Sequence, residues 1–312
     1  MTGRRTLWHA LFLFTLPVIV AWWGISTPGA VALVLIALLW RWGISLSAIT
    51  APARVPELEL ETISASHFVE KVRWCLDRLG VDYVEKPVGG TLGAFFLGRT
   101  VPVLKFRSGA VRSSIGNSSE ILRYLWGRYA AERPEQAAFL EPTPERLGFE
   151  SRIDRCGADL QVWVYFHILD DRKLTLHAWG ASSPAIPNWQ RTALKLLYPL
   201  LRTLIRKAFR ISPKRHGKAV EHVDALLNDV EAMLSDGRKS ILGGDELNYS
   251  DFAFAAIMGL WALPPQFGGG RADTVRIDID RCPGAMQAEV AAWKSKYPKA
   301  AAFIEHLYAE QR

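Results

Sequence analysis

The chain has 312 residues, which is long enough for two domains and an appendage, and its formal net charge is +7. This charge is modest and accompanies no recognised nucleic-acid-binding module, so we expect no nucleic acid as a partner. The three cysteines are odd in number and widely spaced, without a Cys-x-x-Cys pair or a metal-ligand spacing. We therefore expect a reducing compartment, no disulfide and no metal site.

Two apolar runs separated by a turn occupy the first fifty residues. Residues 7–24 are almost wholly apolar, residues 26–29 form the turn, and residues 30–42 are apolar apart from Arg41, with 44–49 extending the run. Each run can just cross about 30 Å of hydrocarbon, the second only if Arg41 reaches the headgroups. The flanking tryptophans and arginines fit a membrane hairpin whose open ends face the cytoplasm: Trp22, Trp23, Trp40, Trp42, Arg4, Arg5 and Arg54. We expect residues 1–49 to be a transmembrane helical hairpin in contact with lipid, with the soluble domains on the cytoplasmic side.

A cleaved signal peptide is the main alternative for this segment, because Arg4 and Arg5 precede an apolar stretch of suitable size. Against it, Trp and Gly stand where small residues should mark a cleavage site, and a second apolar run follows immediately. The pattern also leaves open two segments that lie partly in the membrane interface. The sequence favours an uncleaved anchor.

Residues 50–57 carry prolines and alanines typical of a linker, and residues 58–130 predict a thioredoxin-like α/β domain. Its first helix has apolar residues at helical spacing and ends at Gly80. The predicted elements are a strand at 58–63, a helix at 68–79, a strand at 81–84, a weak helix within 89–98, strands at 101–106 and 110–111, and a helix at 118–129.

From residue 146 onward the pattern is helical, so residues 146–312 are predicted to form an all-α domain. Asn248 and Asp251 have the spacing of a capping box. In this motif the Asn248 side chain accepts from a backbone N–H of the first turn, and the Asp251 side chain accepts from the Asn248 backbone N–H. Basic residues cluster within 202–218, where a solvated helix face is favoured over contact with anionic lipid. The candidate helices are 150–169, 187–209, 220–234, 251–263 and 287–309.

The clearest chemistry lies at the start of the first helix of the α/β domain, at Ser66. A helix N-terminus presents free N–H groups and the positive end of the macrodipole, which favour an anion such as a thiolate. A hydroxyl that donates to sulfur there would lower a thiol pKa of about 8.5. Ser64 is a second candidate hydroxyl, and plain helix capping is the alternative role for Ser66. Cys75 is expected to be a buried core thiol.

The segments SHFVEKVR at 66–73, TVPVL at 100–104 and NSSEILRYL at 117–125 carry a resemblance, over roughly residues 58–312, to the glutathione transferase superfamily. The segment SHFVEKVR at 66–73 is similar to the first helix start of the omega and tau classes, with Ser66 on the catalytic position. The segment TVPVL at 100–104 is similar to the family strand that carries a cis proline. The segment NSSEILRYL at 117–125 resembles the helix start that binds the γ-glutamyl end of glutathione. The capped helix at Asn248 is similar to the capping box of the family's helical domain.

The resemblance implies a thioredoxin-like N-terminal domain plus an all-α C-terminal domain, behind the membrane hairpin. It implies glutathione as co-substrate, with Ser66 as the catalytic residue and no metal. The binding residues that it implies are Phe68, Val101, Pro102, Asn117 and Ser118. His67 stands where the family usually has proline, and Asn117 stands where it has an acidic residue. Arg152, Arg155, Tyr165 and His167 fall on the helix whose family counterpart lines the electrophile site, although core or surface roles are commoner for such residues.

The favoured function is a membrane-tethered, bacterial-type glutathione transferase-like enzyme that activates the glutathione thiol for attack on apolar electrophiles. A homodimer is left open. One alternative is a non-catalytic membrane scaffold or assembly factor, since His216-Gly217 and the segment LGGD at 242–245 are similar to metaxin-like proteins. A second alternative is a glutathione-dependent lyase or isomerase.

Overall fold

The structure is a computed structural model that describes residues 19, 23, 26–50, 56–90, 92, 101–108 and 111–312. The chain divides into two compact units, one within residues 1–58 and 105–113 and the other within residues 59–104 and 114–312. The first apolar run, most of the linker and most of the predicted weak helix at 89–98 lie outside the described residues. The predicted domain boundaries at 49, 57, 130 and 146 stay predictions.

Helix α1, Thr27–Thr50, covers the second apolar run. The Ser26 side chain accepts a hydrogen bond from the Gly29 backbone N–H at 3.1 Å, at the start of this helix. Among the described residues, no helix is long and apolar enough to cross a membrane. The predicted transmembrane hairpin is therefore not found among these residues, and most of the first run lies outside them. Large apolar side chains are exposed along α1, namely Val31, Leu35, Ile36, Leu38, Leu39, Trp40, Trp42 and Leu46.

The α/β part begins with a strand, a helix and a second strand and ends with two strands and a helix, as predicted. Its elements are β1 (Glu57–Thr62), α2 (His67–Arg78), β2 (Tyr83–Pro87), β3 (Val103–Ser108), β4 (Val111–Gly116) and α3 (Ser118–Tyr129). The four strands form one sheet in the order β2-β1-β3-β4. Burial alternates along β1, as expected for a strand with one face in the core. Strand β4 is longer than the two residues predicted. The prediction was too short because the polar side chains of this strand hide the alternation on which it depended.

The rest of the described chain is helical, which confirms the predicted all-α region. Its helices are α4 (Pro134–Ala137), α5 (Pro144–Ile168), α6 (Arg172–Ala178), α7 (Asn188–Ala208), α8 (Pro213–Met233), α9 (Tyr249–Ala262), α10 (Gly284–Lys296) and α11 (Pro298–Gln311). The single helix predicted at 287–309 is wrong, since Pro298 lacks an N–H and starts a new helix there. Helix α6 was not predicted; Asp171 caps it by accepting from the Leu174 N–H at 2.9 Å.

Helix α9 is apolar on every side and runs through the core of the larger unit, where Phe252 and Phe254 are fully buried. The predicted capping box at its start is confirmed. The Asp251 carboxylate accepts from the backbone N–H groups of Asn248 at 2.9 Å and Ile241 at 2.8 Å, and from the Ser240 hydroxyl at 2.8 Å. One buried carboxylate therefore satisfies the helix start and the preceding turn together.

We expect Asp251→Ala to lower the free energy of unfolding by about 3 kcal/mol, because it leaves several buried donors without an acceptor. Asp245→Ala is the matched control, since Asp245 lies exposed in the preceding turn and its loss should change stability by less than about 0.5 kcal/mol. Urea denaturation of the full-length chain measures both. Equal losses for the two variants would contradict the role given to Asp251.

Candidate active site

Ser66 lies in the turn that connects β1 to α2. Its backbone N–H donates to the Ile63 carbonyl at 2.8 Å, and its side chain caps α2 by accepting from the Val69 N–H at 3.4 Å. The capping role weighed for Ser66 is therefore present. A hydroxyl has one proton to donate as well as lone pairs to accept with, so capping leaves that proton free to meet a ligand.

A cavity of about 630 Å³ opens in front of the α2 N-terminus, within the larger unit. The structure brings all six sequence-predicted site residues to its wall: Ser66, Phe68, Val101, Pro102, Asn117 and Ser118. The Val101–Pro102 peptide bond is cis, which confirms that prediction. Ser64, the other candidate hydroxyl, is buried in the turn, and its carbonyl accepts from Arg73 at 3.1 Å. Ser66 is thus the hydroxyl that reaches the cavity.

A second helix N-terminus faces the same cavity, at the start of α3. Asn117 caps this helix by accepting from the Ser119 N–H at 3.1 Å, and its backbone has a φ of +69°, which Asn tolerates better than most residues. Ser118 follows it and is buried. Two helix starts in one cavity provide two places where backbone N–H groups can meet negative charge.

His67 is buried at the start of α2. Burial is the largest influence on its pKa, and with the nearby Lys71 charge it lowers that pKa to about 4 despite the hydrogen bond to the Gly157 carbonyl. The ring is therefore neutral at pH 7, and its Nε2–H donates to the Gly157 carbonyl at 2.9 Å. A Cβ at Gly157 would lie 2.9 Å from the Phe68 ring, so this glycine lets α2 pack closely on α5. His67 thus joins the start of α2 to α5 at the cavity wall.

The far wall of the cavity is apolar and comes from the helical part of the chain. Helix α5 contributes Val164, Tyr165 and Ile168, while Trp179 and Phe209 follow α6 and α7. Sequence reasoning named only Tyr165 among these. The other three residues suggested on α5 lie elsewhere: Arg152 pairs with Asp229, Arg155 bonds to Ser151, and His167 contacts Glu289. Helical periodicity marks these apolar residues as core, but cannot tell a packed core from a cavity wall.

A buried charge cluster centred on Lys71 supports the site from beneath. The Lys71 ammonium is fully buried and lies 2.6 Å from a Glu150 oxygen, 2.8 Å from an Asp154 oxygen and 3.2 Å from the Ser119 hydroxyl. Arg123 completes it by donating to Glu150 at 2.8 Å. The cluster ties α2, which carries Ser66, to α3 and α5. Lys71 therefore stabilises the packing of α2 against α3 and α5.

The three cysteines are buried free thiols. Burial raises the pKa of Cys75 and of Cys156 to about 12 and that of Cys282 to about 11. The prediction that Cys75 is a buried core thiol is confirmed. Although Cys282 reaches the cavity wall, its thiol stays protonated at neutral pH. None of the three is a ready nucleophile.

Residues 65–126 match the family model of the glutathione S-transferase N-terminal domain. This match spans the Ser66 turn, the cis proline and the α3 N-terminus, and it supports the predicted resemblance to the glutathione transferase superfamily. The finer omega or tau likeness and the metaxin-like similarity stay predictions. No curated protein matches the chain.

Solved structures that resemble the chain include three glutathione transferases. One from Methylobacterium radiotolerans, in complex with glutathione sulfonate, is 17% identical with a TM-score of 0.47, over 81% of this chain and 91% of that one. One from Ceriporiopsis subvermispora, in complex with glutathione, is 16% identical with a TM-score of 0.47, over 82% and 98%. Rice GST1, in complex with glutathione, is 17% identical with a TM-score of 0.39, over 83% and 99%. At these values the likeness carries no argument about this chain.

The Lys71 cluster gives stability a defined dependence on pH. Burial pushes the pKa of Glu150 upward, but the Lys71 and Arg123 charges outweigh it and hold that pKa below its ordinary value of 4.5. An acid with a depressed folded-state pKa contributes stability above its unfolded pKa and loses it as the pH falls through the folded value. We expect Glu150→Gln to lower the free energy of unfolding by about 3 kcal/mol at pH 7. This gap between the variant and wild type should narrow steadily below about pH 4.5.

Urea denaturation at a series of pH values measures this gap. Glu221→Gln is the control, because Glu221 is exposed on α8; it should unfold like wild type at every pH. A gap that stays constant down to about pH 3 would contradict the assignment of the acid-sensitive stability to Glu150.

Proposed function

We propose that this protein binds glutathione at the Ser66 end of the cavity and activates its thiol for attack on apolar electrophiles. The observation that carries the proposal is the meeting of the α2 and α3 N-termini with the cis Pro102 segment around one cavity. The α2 start suits the thiolate and the α3 start suits the γ-glutamyl carboxylate. The family match over residues 65–126 supports the same substrate.

The proposed chemistry begins with the glutathione thiol giving its proton to solvent. The Ser66 hydroxyl then donates a hydrogen bond to the sulfur, and the α2 macrodipole adds attraction, so that the thiolate fraction rises at neutral pH. The thiolate attacks an electrophilic carbon, forming a carbon–sulfur bond as a leaving group departs or as a neighbouring atom takes up the electron pair and a proton. No residue of the chain changes its bonding in this reaction.

The choice of an apolar electrophile rests on the opposite wall of the cavity. Ile168, Trp179 and Phe209 present mainly carbon to this space, and such surfaces favour ligands that gain by leaving water. The open volume also favours an enzyme over a metaxin-like scaffold, whose cleft would be filled by its own side chains. A glutathione-dependent lyase or isomerase would use the same thiolate and stays the alternative chemistry.

We also propose that the N-terminal segment holds the protein at a lipid bilayer, with the larger unit on the cytoplasmic side. Helix α1 supports this because Leu35, Ile36 and Leu39 are each more than half exposed to solvent. Exposed apolar side chains of this density are costly in water and favourable in the interfacial region of a membrane. The cytoplasmic side follows from the arginines that flank the apolar runs.

We expect Ser66→Ala to lose the thiolate ultraviolet signal of bound glutathione and to reduce thiol transfer about 10- to 100-fold, since a hydrogen bond to a charged group is worth about 1.5–3 kcal/mol. Ser212→Ala is the matched control. Ser212 also caps a helix, accepting from the Arg215 N–H at 3.2 Å, so both variants should lose about 1 kcal/mol of stability. Only Ser66→Ala should lose the thiolate.

Calorimetric titration of the full-length chain with glutathione tests binding directly. Saturable binding together with the thiolate signal supports the proposal. An absence of binding up to about 10 mM glutathione, well above the usual 1 μM–1 mM range for substrates, would overturn it.

For the membrane proposal, we expect Leu39→Glu to lower cosedimentation of the full-length chain with phospholipid vesicles, because a charged side chain resists burial among lipid. Leu196→Glu is the control, since Leu196 is 74% exposed on α7 and should leave the bound fraction unchanged. If wild type fails to sediment with vesicles, the proposal is wrong.

A further inference from the structure

Three potential metal ligands meet in the helical part of the chain, away from the residues assigned to glutathione. They are His167 near the end of α5, His216 in the first turn of α8 and Glu289 on α10. One ligand atom from each lies within 4.8 Å of the other two. Sequence analysis expected no metal site, because these residues come from three helices that are far apart in the chain and show no ligand spacing.

The distances within this cluster suit a small divalent ion. The Nε2 atoms of His167 and His216 each lie 3.3 Å from the same Glu289 oxygen, Oε2. Zinc binds imidazole nitrogen and carboxylate oxygen at about 2.0–2.2 Å in tetrahedral geometry, which separates neighbouring ligand atoms by about 3.3–3.5 Å. Two of the three distances between ligand atoms thus have the length that zinc would impose, and the third, between the two histidines, is within 4.8 Å.

Hydrogen bonds to Glu289 Oε2 account for the Trp163 and His167 nitrogens but not for the His216 nitrogen. The Trp163 Nε1–H donates to the same Glu289 oxygen at 2.5 Å, so three nitrogens converge on an atom with two lone pairs. The His216 Nε2 is buried and has no hydrogen-bond partner among the described residues. A buried polar atom without a partner costs about 1–3 kcal/mol. An ion between the three side chains would use the lone pair that this nitrogen leaves unused.

The surroundings bury the two imidazoles and fix the ring of His216. The His167 and His216 side chains are only 4% and 13% exposed, whereas Glu289 is 31% exposed and gives solvent access on one side. Phe166 stacks on His216 with ring centroids 4.0 Å apart, which fixes that ring.

We propose that His167, His216 and Glu289 bind one divalent ion of the zinc type. The ion joins α5, α8 and α10, and it keeps a fourth position for water or for the second Glu289 oxygen. Two imidazoles and one carboxylate form a donor set that favours zinc over magnesium or calcium, which prefer oxygen ligands.

The test uses the full-length chain, stripped with a chelator, dialysed and titrated with Zn²⁺ in competition with a chromophoric chelator. We expect one Zn²⁺ per chain with a Kd of about 1 μM or tighter, and a rise in the thermal unfolding midpoint on binding. Co²⁺ added to the stripped protein should give the visible absorption of a four-coordinate ion, which reports the ligand geometry independently of any enzymatic activity.

His216→Gln and Glu289→Gln should each weaken Zn²⁺ binding at least 10-fold and abolish the Co²⁺ spectrum. His222→Gln is the matched control, because His222 lies on the same helix with its side chain 61% exposed and contacts Asp159 instead; its Zn²⁺ affinity should equal that of wild type. Circular dichroism checks that each variant is folded. If His216→Gln does not fold, Glu289→Gln still tests the proposal, because Glu289 is partly exposed and its replacement disturbs the core less. An absence of stoichiometric binding, or equal affinity in the wild type and in Glu289→Gln, would overturn the proposal.

Discussion

The buried Lys71 ammonium is the constraint on which the rest of the larger unit depends. Removing an ion from water costs several kcal/mol, so a lysine with no solvent exposure requires its carboxylate partners to stay in place. Glu150 and Asp154 come from α5, and Ser119 comes from α3. The geometry of the α2 N-terminus is therefore fixed from beneath, and Ser66 can present its hydroxyl without relying on a bound ligand to order the turn.

Arg73, two residues further on, points away from Lys71 because residues at this spacing lie on different faces of a helix. It donates to both oxygens of Glu85 on β2, at 2.5 and 2.9 Å. The two basic residues that flank Val72 thus anchor α2 in two directions, one to the helices and one to the sheet. In the sequence they look like part of a recognition motif; in the structure they anchor the helix whose first turn follows Ser66.

The sequence predicted those features that depend on residues close together in the chain. The helix caps at Ser66 and Asn248 follow from side chains that satisfy backbone groups within three residues, and both could be read directly from the sequence. Contacts between distant segments could not. His67 is buried because Gly157, ninety residues later, leaves room for its ring and provides an acceptor. The apolar wall of the cavity and the cluster of His167, His216 and Glu289 arise in the same way, when separate helices meet.

The protonated state of the buried thiols has a consequence for the durability of such an enzyme. A protein that gathers reactive electrophiles risks alkylating its own cysteines, since any thiolate near the cavity competes with glutathione for the same carbon. Cys282 reaches the cavity wall, but its pKa of about 11 leaves only a minute thiolate fraction at neutral pH. Under the proposed function, nucleophilic sulfur is therefore confined to the replaceable tripeptide, and the protein's own cysteines are spared from alkylation.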